Sequence, residues 1–234
     1  MSEVTIIRSG PYLVQGSVPL DHARALVNLL HFPISWKFFH SYPVQISYAL
    51  CRCGQTKTPP FCDGSHQKIA FSGDEVADTT PFNEAMKMIE GPTLSMKDLK
   101  SLCVYANFCN INHNVWNQIA RPLDKKRYHQ ALKAIQHCPS GRLVPVDTQS
   151  KTVLEPDHVP SISIIEENGY IHQGAIWVKG GIPIKSSQGF YYEVRNRVTL
   201  CRCGKSSDMP FCDGKHLLNP PPSIVKGTGL LTTF

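Results

Sequence analysis

The stretch Cys51-Arg52-Cys53-Gly54-Gln55-Thr56-Lys57-Thr58-Pro59-Pro60-Phe61-Cys62-Asp63-Gly64-Ser65-His66 returns 150 residues later as Cys201-Arg202-Cys203-Gly204-Lys205-Ser206-Ser207-Asp208-Met209-Pro210-Phe211-Cys212-Asp213-Gly214-Lys215-His216. In each copy two cysteines stand one residue apart, a third follows nine positions later, and a histidine comes four after that. Three thiolates and one imidazole are the donor set of a metal centre. The chain is therefore expected to hold two such centres, on Cys51, Cys53, Cys62 and His66 and on Cys201, Cys203, Cys212 and His216. Packing of free cysteines as small hydrophobes does not account for a whole four-ligand pattern that recurs.

The spacing has a mechanical reading. An extended or tightly turned Cys-x-Cys aims both sulfurs at one centre, and Cys62 and His66, four apart, are expected on one face of a single helical turn. Asp63 and Asp213 are placed to accept backbone N–H bonds in the first turn, and Gly64 and Gly214 let the backbone approach a cluster. The positive end of that turn is expected to help keep the thiols deprotonated. Two occupants fit: tetrahedral zinc, or a 2Fe-2S cluster with two cysteines on one iron and Cys plus His on the other. Ligand softness does not separate them.

The pattern Cys51-x-Cys53-x2-Thr56-x3-Pro60-x-Cys62-Asp63-Gly64-Ser65-His66 meets every specified position of the CDGSH signature, C-x-C-x2-(S/T)-x3-P-x-C-D-G-(S/A/T)-H. The second copy departs from it only at Lys215, which puts a charge beside His216. The chain thus resembles the CDGSH iron–sulfur proteins of the mitoNEET-like kind. That resemblance implies a 2Fe-2S cluster on three Cys and one His in each copy. In the small members of that family two chains intertwine strands into a shared β-cap.

The repeat is longer than its ligands. Val44 to His66 aligns with Val194 to His216 without a gap at 12 of 23 identical positions, and the Gly10–Pro19 segment pairs with Gly174–Pro183. Each module reads as a strand followed by a cluster loop, too small to bury a core alone. The expected architecture is α+β: two small β-rich CDGSH modules paired as an intrachain pseudo-dimer, with a ferredoxin-like α+β domain between them. The expected boundaries are 1–75, 76–160 and 161–234, with an insertion at 21–43 where the second copy has only nine residues (185–193). In that insertion Asp21 is expected to cap a short helix presenting Leu26, Leu29 and Leu30 on one face and stopping before Pro33. Core packing over the pseudo-dimer is its expected role, a partner-binding surface the alternative.

The remaining cysteines are Cys103, Cys109 and Cys138. From Asp124 the apolar residues Tyr128, Leu132 and Ile135 recur at helical spacing and Cys138 continues that face; Pro139 ends the helix and 142–146 reads as a short strand. A Cys-Pro after a helix, with an earlier cysteine loop, resembles divergent single-cluster ferredoxin domains over about residues 91–147. Position 106, where the middle cysteine of such a loop stands, is Ala106. The resemblance implies a 3Fe-4S centre on Cys103, Cys109 and Cys138. The alternative is a 4Fe-4S centre completed by His113, whose expected role is that of an ordinary satisfied or exposed histidine.

Nine cysteines without a secretory pattern point to a reducing compartment, the cytoplasm. No apolar run approaches the roughly 20 residues that span a bilayer, so no membrane anchor is expected. The net charge of +6 is spread along the chain, and no nucleic-acid module is recognisable. No hydrolytic or group-transfer constellation appears. The expected protein is not an enzyme but a monomer with internal pseudo-two-fold symmetry, transferring single electrons to a redox or cluster-acceptor protein. The alternatives are a cluster donor, a redox or iron sensor, or a zinc-stabilised interaction module.

Overall fold

The structure, a computed structural model, describes residues 2–166 and 174–217. The first part of the chain forms strands β1 (Glu3–Ile6), β2 (Tyr12–Gln15), β3 (Leu20–Val27), β4 (Pro33–Phe39) and β5 (Ser47–Leu50), then helical turns α1 (Ser65–Lys68) and α2 (Phe82–Ala85). The middle holds β6 (Lys87–Ile89), β7 (Leu94–Asp98), α3 (Val115–Ile119), α4 (Lys125–Gln136) and β8 (Leu143–Asp147). The last part adds β9 (Ser161–Glu166), β10 (Ile176–Lys179), β11 (Ile184–Lys185) and β12 (Arg197–Leu200).

Neither CDGSH module closes its sheet alone. One sheet has the order β11-β1-β2-β5 and the other β12-β10-β9-β3-β4. Strand β3 leaves the first module to pair in parallel with β9 of the second (Leu20↔Ile162, His22↔Ile164). Strand β11 makes the reciprocal crossing and pairs in parallel with β1 (Val4↔Ile184). The antiparallel registers match as well, Tyr12↔Leu50 in one copy and Ile176↔Leu200 in the other. The expected intrachain pseudo-dimer is therefore an exchange of strands. It is held by apolar side chains that the two sheets turn inward, among them Val4, Ile6, Tyr12 and Val14 against Ile162, Ile164, Ile176 and Val178, all at most 2% exposed. Burying each such side chain is worth about 1.5–3 kcal/mol.

The pseudo-dyad passes between the two cysteine loops. Cys53 and Cys203 form an antiparallel bridge. Gly54 and Gly204 both have φ +75°, and a Cβ on either would lie 2.7 Å or 2.8 Å from the carbonyl oxygen of the opposite cysteine. Only glycine tolerates that conformation and that approach together.

The central domain breaks the symmetry. The three-stranded sheet β6-β7-β8 carries α3 and α4 over a core that includes Leu94, Met96, Ile119, Ile135 and Leu143. Asp124 caps α4, its carboxylate accepting from Arg127 N–H at 2.9 Å, as expected. This domain covers the outer face of the five-stranded sheet, so β10 and β12 are buried at every position, whereas β2 and β5 alternate. Arg197 of β12, fully buried, donates to the carbonyls of Gln136 (2.5 Å), Cys138 (2.8 Å), Ile135 (3.2 Å) and Leu143 (3.0 Å) and pairs with Glu155 at 2.8 Å. One guanidinium thus takes up the carbonyls at the end of α4 and beside Cys138.

The insertion corrects the sequence reading. Its expected helix is absent, and residues 20–39 form the β3–β4 hairpin with a bulge at Leu26/Val27. Pairing with β9, some 140 residues away in sequence, overrides the local helical spacing of the leucines. Leu29 is 99% and Leu30 74% exposed, so the expected apolar helix face does not exist. The core contact comes instead from Trp36, which lies 5.0 Å from Trp177 and 4.8 Å from Phe108 and donates Nε1–H to the His137 carbonyl at 3.0 Å.

Substituting Gly204→Ala adds a left-handed non-glycine residue and a clash at the dyad, together at least about 2 kcal/mol. The expected result is a thermal unfolding midpoint lower by about 4–8 °C. Gly189→Ala, also at positive φ but with open space around its Cβ position, carries the backbone term alone and separates the two contributions.

Candidate metal centres

Each CDGSH loop is closed by the same polar contacts. Thr56 Oγ1–H donates to the Phe61 carbonyl and Ser206 Oγ–H to the Phe211 carbonyl, both at 2.7 Å. Asp63 accepts from Lys57 N–H (2.8 Å) and Ser65 N–H (2.9 Å), and Asp213 from Ser207 N–H (2.8 Å) and Lys215 N–H (3.1 Å). These backbone donors hold the Asp63 carboxyl far below the ordinary carboxylate range. Gly64 and Gly214 are needed for φ of +83° and +79°, which start the following turn. The expected helical face is corrected: α1 begins at Ser65 and its counterpart is a 3-10 turn over Lys215–Leu217, so each cysteine lies before the turn.

The eight donors form four close pairs. Cys51 and Cys53 have sulfurs 3.8 Å apart, Cys201 and Cys203 3.7 Å apart. The Cys62 sulfur is 3.3 Å from His66 Nδ1 and the Cys212 sulfur 3.4 Å from His216 Nδ1. Two sulfurs bound at about 2.3 Å to one tetrahedral metal stand about 3.8 Å apart, so each Cys-x-Cys pair fits a single metal atom. Among the described residues no three His, Cys, Asp or Glu converge on one ion position. The arrangement suits two metal atoms per loop, each held by a pair.

The surroundings favour an anionic occupant. Arg52 and Arg202, between the paired cysteines, are 1% and 5% exposed. Arg52 Nε and Nη1 and Arg202 Nη2 are buried without hydrogen-bond partners among the described residues. Buried cationic donors beside sulfur ligands match the charge of a sulfide-bridged cluster. The sequence showed these arginines as identical positions of the repeat, but a Cys-x-Cys spacing gives its middle residue no role.

Burial opposes the expected ease of thiol ionisation. It pushes the Cys53 thiol up to about 11 and the Cys109 thiol up to about 12. In the second loop the contact between the two sulfurs pulls Cys201 down to about 6 and, with burial, pushes Cys203 up. At Cys53, Cys109 and Cys203 the thiolate requires the metal's own charge, whereas Cys201 is already disposed to ionise. The Lys215 ammonium donates to Ser207 Oγ and lies 3.8 Å from Asp213.

Cys103, Cys109 and Cys138 line one cavity of about 190 Å³ together with Trp116, Arg142 and Leu143. Tyr105 (φ +57°) and Asn107 (φ +60°) are left-handed, and such residues curl a loop so that its N–H groups face a concave, anion-accepting side. Arg142 is fixed by Asp98 through two bonds, 2.7 Å and 3.0 Å, and lies 5.2 Å from the Trp116 ring centroid. Arg142, Asp98 and Trp116 were not singled out from the sequence, because their meeting depends on β7, α3 and β8 coming together. His113 is exposed and is not among the cavity's lining residues.

Asp208 takes the place of Thr58 in the repeat, and burial, with Asp213 and Asp78 nearby, raises its carboxyl to about 6. A carboxyl raised above its unfolded value of about 3.9 makes the folded state bind more protons between those values, so stability falls as pH rises through that window. Asp208→Thr is expected to raise the unfolding midpoint at pH 7–8 and to leave it unchanged near pH 3, as read from thermal unfolding at both ends.

Comparison with known families agrees with this geometry. The family described as the iron-binding zinc finger of CDGSH type matches residues 9–67 and 173–217. The family described as a divergent 4Fe-4S mono-cluster matches residues 89–148. No curated protein and no solved structure gave a match. Among the described residues no helix is long and apolar enough to cross a membrane. With both four-ligand loops inside the matched regions and the mono-cluster match between them, the chain carries two CDGSH-type iron-binding regions with a divergent iron–sulfur mono-cluster domain set between them.

Proposed function

We propose that this protein is a one-electron carrier with a 2Fe-2S cluster in each CDGSH loop and a third iron–sulfur centre, 3Fe-4S, on Cys103, Cys109 and Cys138. The observation that carries the reading is the division of each four-ligand set into two close pairs, Cys with Cys and Cys with His. Such pairs suit the two irons of a 2Fe-2S unit, whereas a structural zinc draws all four ligands to one point. The central loop offers three thiols around one cavity, the donor count of a cluster with one corner free of cysteine. Such centres supply one-electron chemistry without moving protein atoms far. The chain's own part is to set their charge surroundings through Arg52, Arg202 and Arg142 and to bury Cys51, Cys53, Cys201 and Cys212.

A second reading, donation of a cluster to an acceptor protein, is favoured by one observation. Cys62 and His66 are half-buried, and His66 faces an open surface cavity beside Arg8. A neutral imidazole ligand is displaced by protons more readily than a buried thiolate.

Anaerobic purification from iron-replete cells is expected to give coloured protein containing iron and acid-labile sulfide. Colourless protein with stoichiometric zinc overturns the proposal. Cys138→Ser is expected to abolish one paramagnetic signal of the oxidised protein and to leave the 2Fe-2S absorption in place. His66→Cys adds negative charge at the outer iron and is expected to lower the potential of that cluster and slow its loss in mild acid, as followed by redox titration and visible absorbance.

A further inference from the structure

We infer that the three centres stand in a fixed order, first CDGSH site, second CDGSH site, central cysteine site, with the outer Cys212 and His216 pair of the second closed off by the central loop and the other two sites serving as its terminals. The inference rests on the iron–sulfur reading above and adds to it the sequence of contacts and the points of access.

The first contact is the dyad. Cys53 and Cys203 are bridged through their backbones, and a Cβ at Gly54 would be 2.7 Å from the Cys203 carbonyl oxygen. The two CDGSH sites are therefore back to back through their Cys-x-Cys loops. The second contact involves the central domain alone. Val104 and Ala106 pack with Cys212 and Trp177 on one side and line the cavity of Cys103, Cys109 and Cys138 on the other. The 104–106 segment thus borders both the central cavity and the apolar cluster that holds the outer cysteine of the second site.

The two copies provide an internal comparison. A Cβ at Gly214 would meet the Tyr105 ring at 2.5 Å and the Val104 backbone at 3.5 Å, while one at Gly64 would meet nothing within 4 Å. Accordingly Cys212 and His216 are 3% and 4% exposed, whereas Cys62 and His66 are half-buried; the covering is confined to this outer pair, since Cys203 is half-buried where Cys53 is buried. The central loop is itself reachable from solvent, Tyr105 being 60% exposed. Tyr105 adopts φ +57°, costly for an aromatic residue, and its ring lies against Gly214. Strain retained at such a place points to a role for the covering ring.

The chemistry is a sequence of one-electron steps. With clusters held by these residues, a reduced one-electron carrier protein would give an electron at the His66 end or the Tyr105 end, an oxidised carrier of the same class would take it at the other, and Cys201, Cys203, Cys212 and His216 would hold the centre between them. No bond forms or breaks, and no proton is consumed.

The test uses the iron-loaded full chain and EDTA, following loss of visible absorbance. Cys62→Ser leaves the second CDGSH site to be read, and Cys212→Ser leaves the first. The second site is expected to lose its cluster about tenfold more slowly than the first, because release requires the covering loop to open. Adding Tyr105→Gly to the Cys62→Ser chain removes the ring while relaxing the backbone, and is expected to restore the fast rate; Tyr105→Phe is expected to keep the slow one. In the wild type, reduction of the second cluster is expected to broaden the paramagnetic signal that Cys138→Ser removes. Equal loss rates in the two single-site chains, or no effect of Tyr105→Gly, overturn the inference. Absence of iron and colour from both chains overturns the iron–sulfur reading itself.

Discussion

Everything in this molecule is organised around the crossing of two cysteine loops at the pseudo-dyad. Gly54 and Gly204 let each backbone come against the carbonyl of the opposite cysteine, and that contact sets the distance between the modules. Once the loops cross, β3 and β11 have to leave their own modules to complete the sheets, each pairing in parallel with a strand of the other copy. The shared apolar core follows from this exchange, since neither module holds enough apolar surface to fold alone. Metal chemistry and folding are thus linked: the residues that meet at the dyad are next to those that face the metal.

Against this near-symmetry the central domain acts on one copy only. It covers the outer face of β10 and β12, buries Trp177 and Arg197, and places its cysteine loop on Gly214. Arg197 is the main link, with four backbone carbonyls and Glu155 around one guanidinium. Because one of those carbonyls belongs to Cys138, the same contact that docks the domain also positions a cysteine of the central cavity. Duplication has therefore given two identical ligand patterns in unlike surroundings, one open and one covered.

The ligand pattern itself could be read without coordinates, because sulfur and imidazole donors at fixed short spacings define their own geometry. The Asp124 cap and the backbone N–H bonds accepted by Asp63 and Asp213 were equally legible, since each depends on backbone groups only a few residues away. The hairpin at 20–39 was not. Its leucines have helical spacing, and only β9, far along the chain, makes that segment a strand. The thiol energetics were misjudged for a related reason: a helical turn is a local feature, but the burial that pushes Cys53 and Cys109 up comes from the whole fold.

By itself the sequence determined the Cys and His pattern, its duplication, the α+β class and the helix that leads to Cys138. Those features rest on interactions within about ten residues of chain, where spacing and propensity act directly. Only the tertiary structure decided the exchange of β3 and β11, the burial of Arg52 and Arg202, the Arg142–Asp98 pair at the central cavity, and the packing of the 104–106 segment with Cys212. Each of these joins residues with no fixed separation in sequence, and what brings them together is the burial of apolar surface, which has no direction until the sheets have formed.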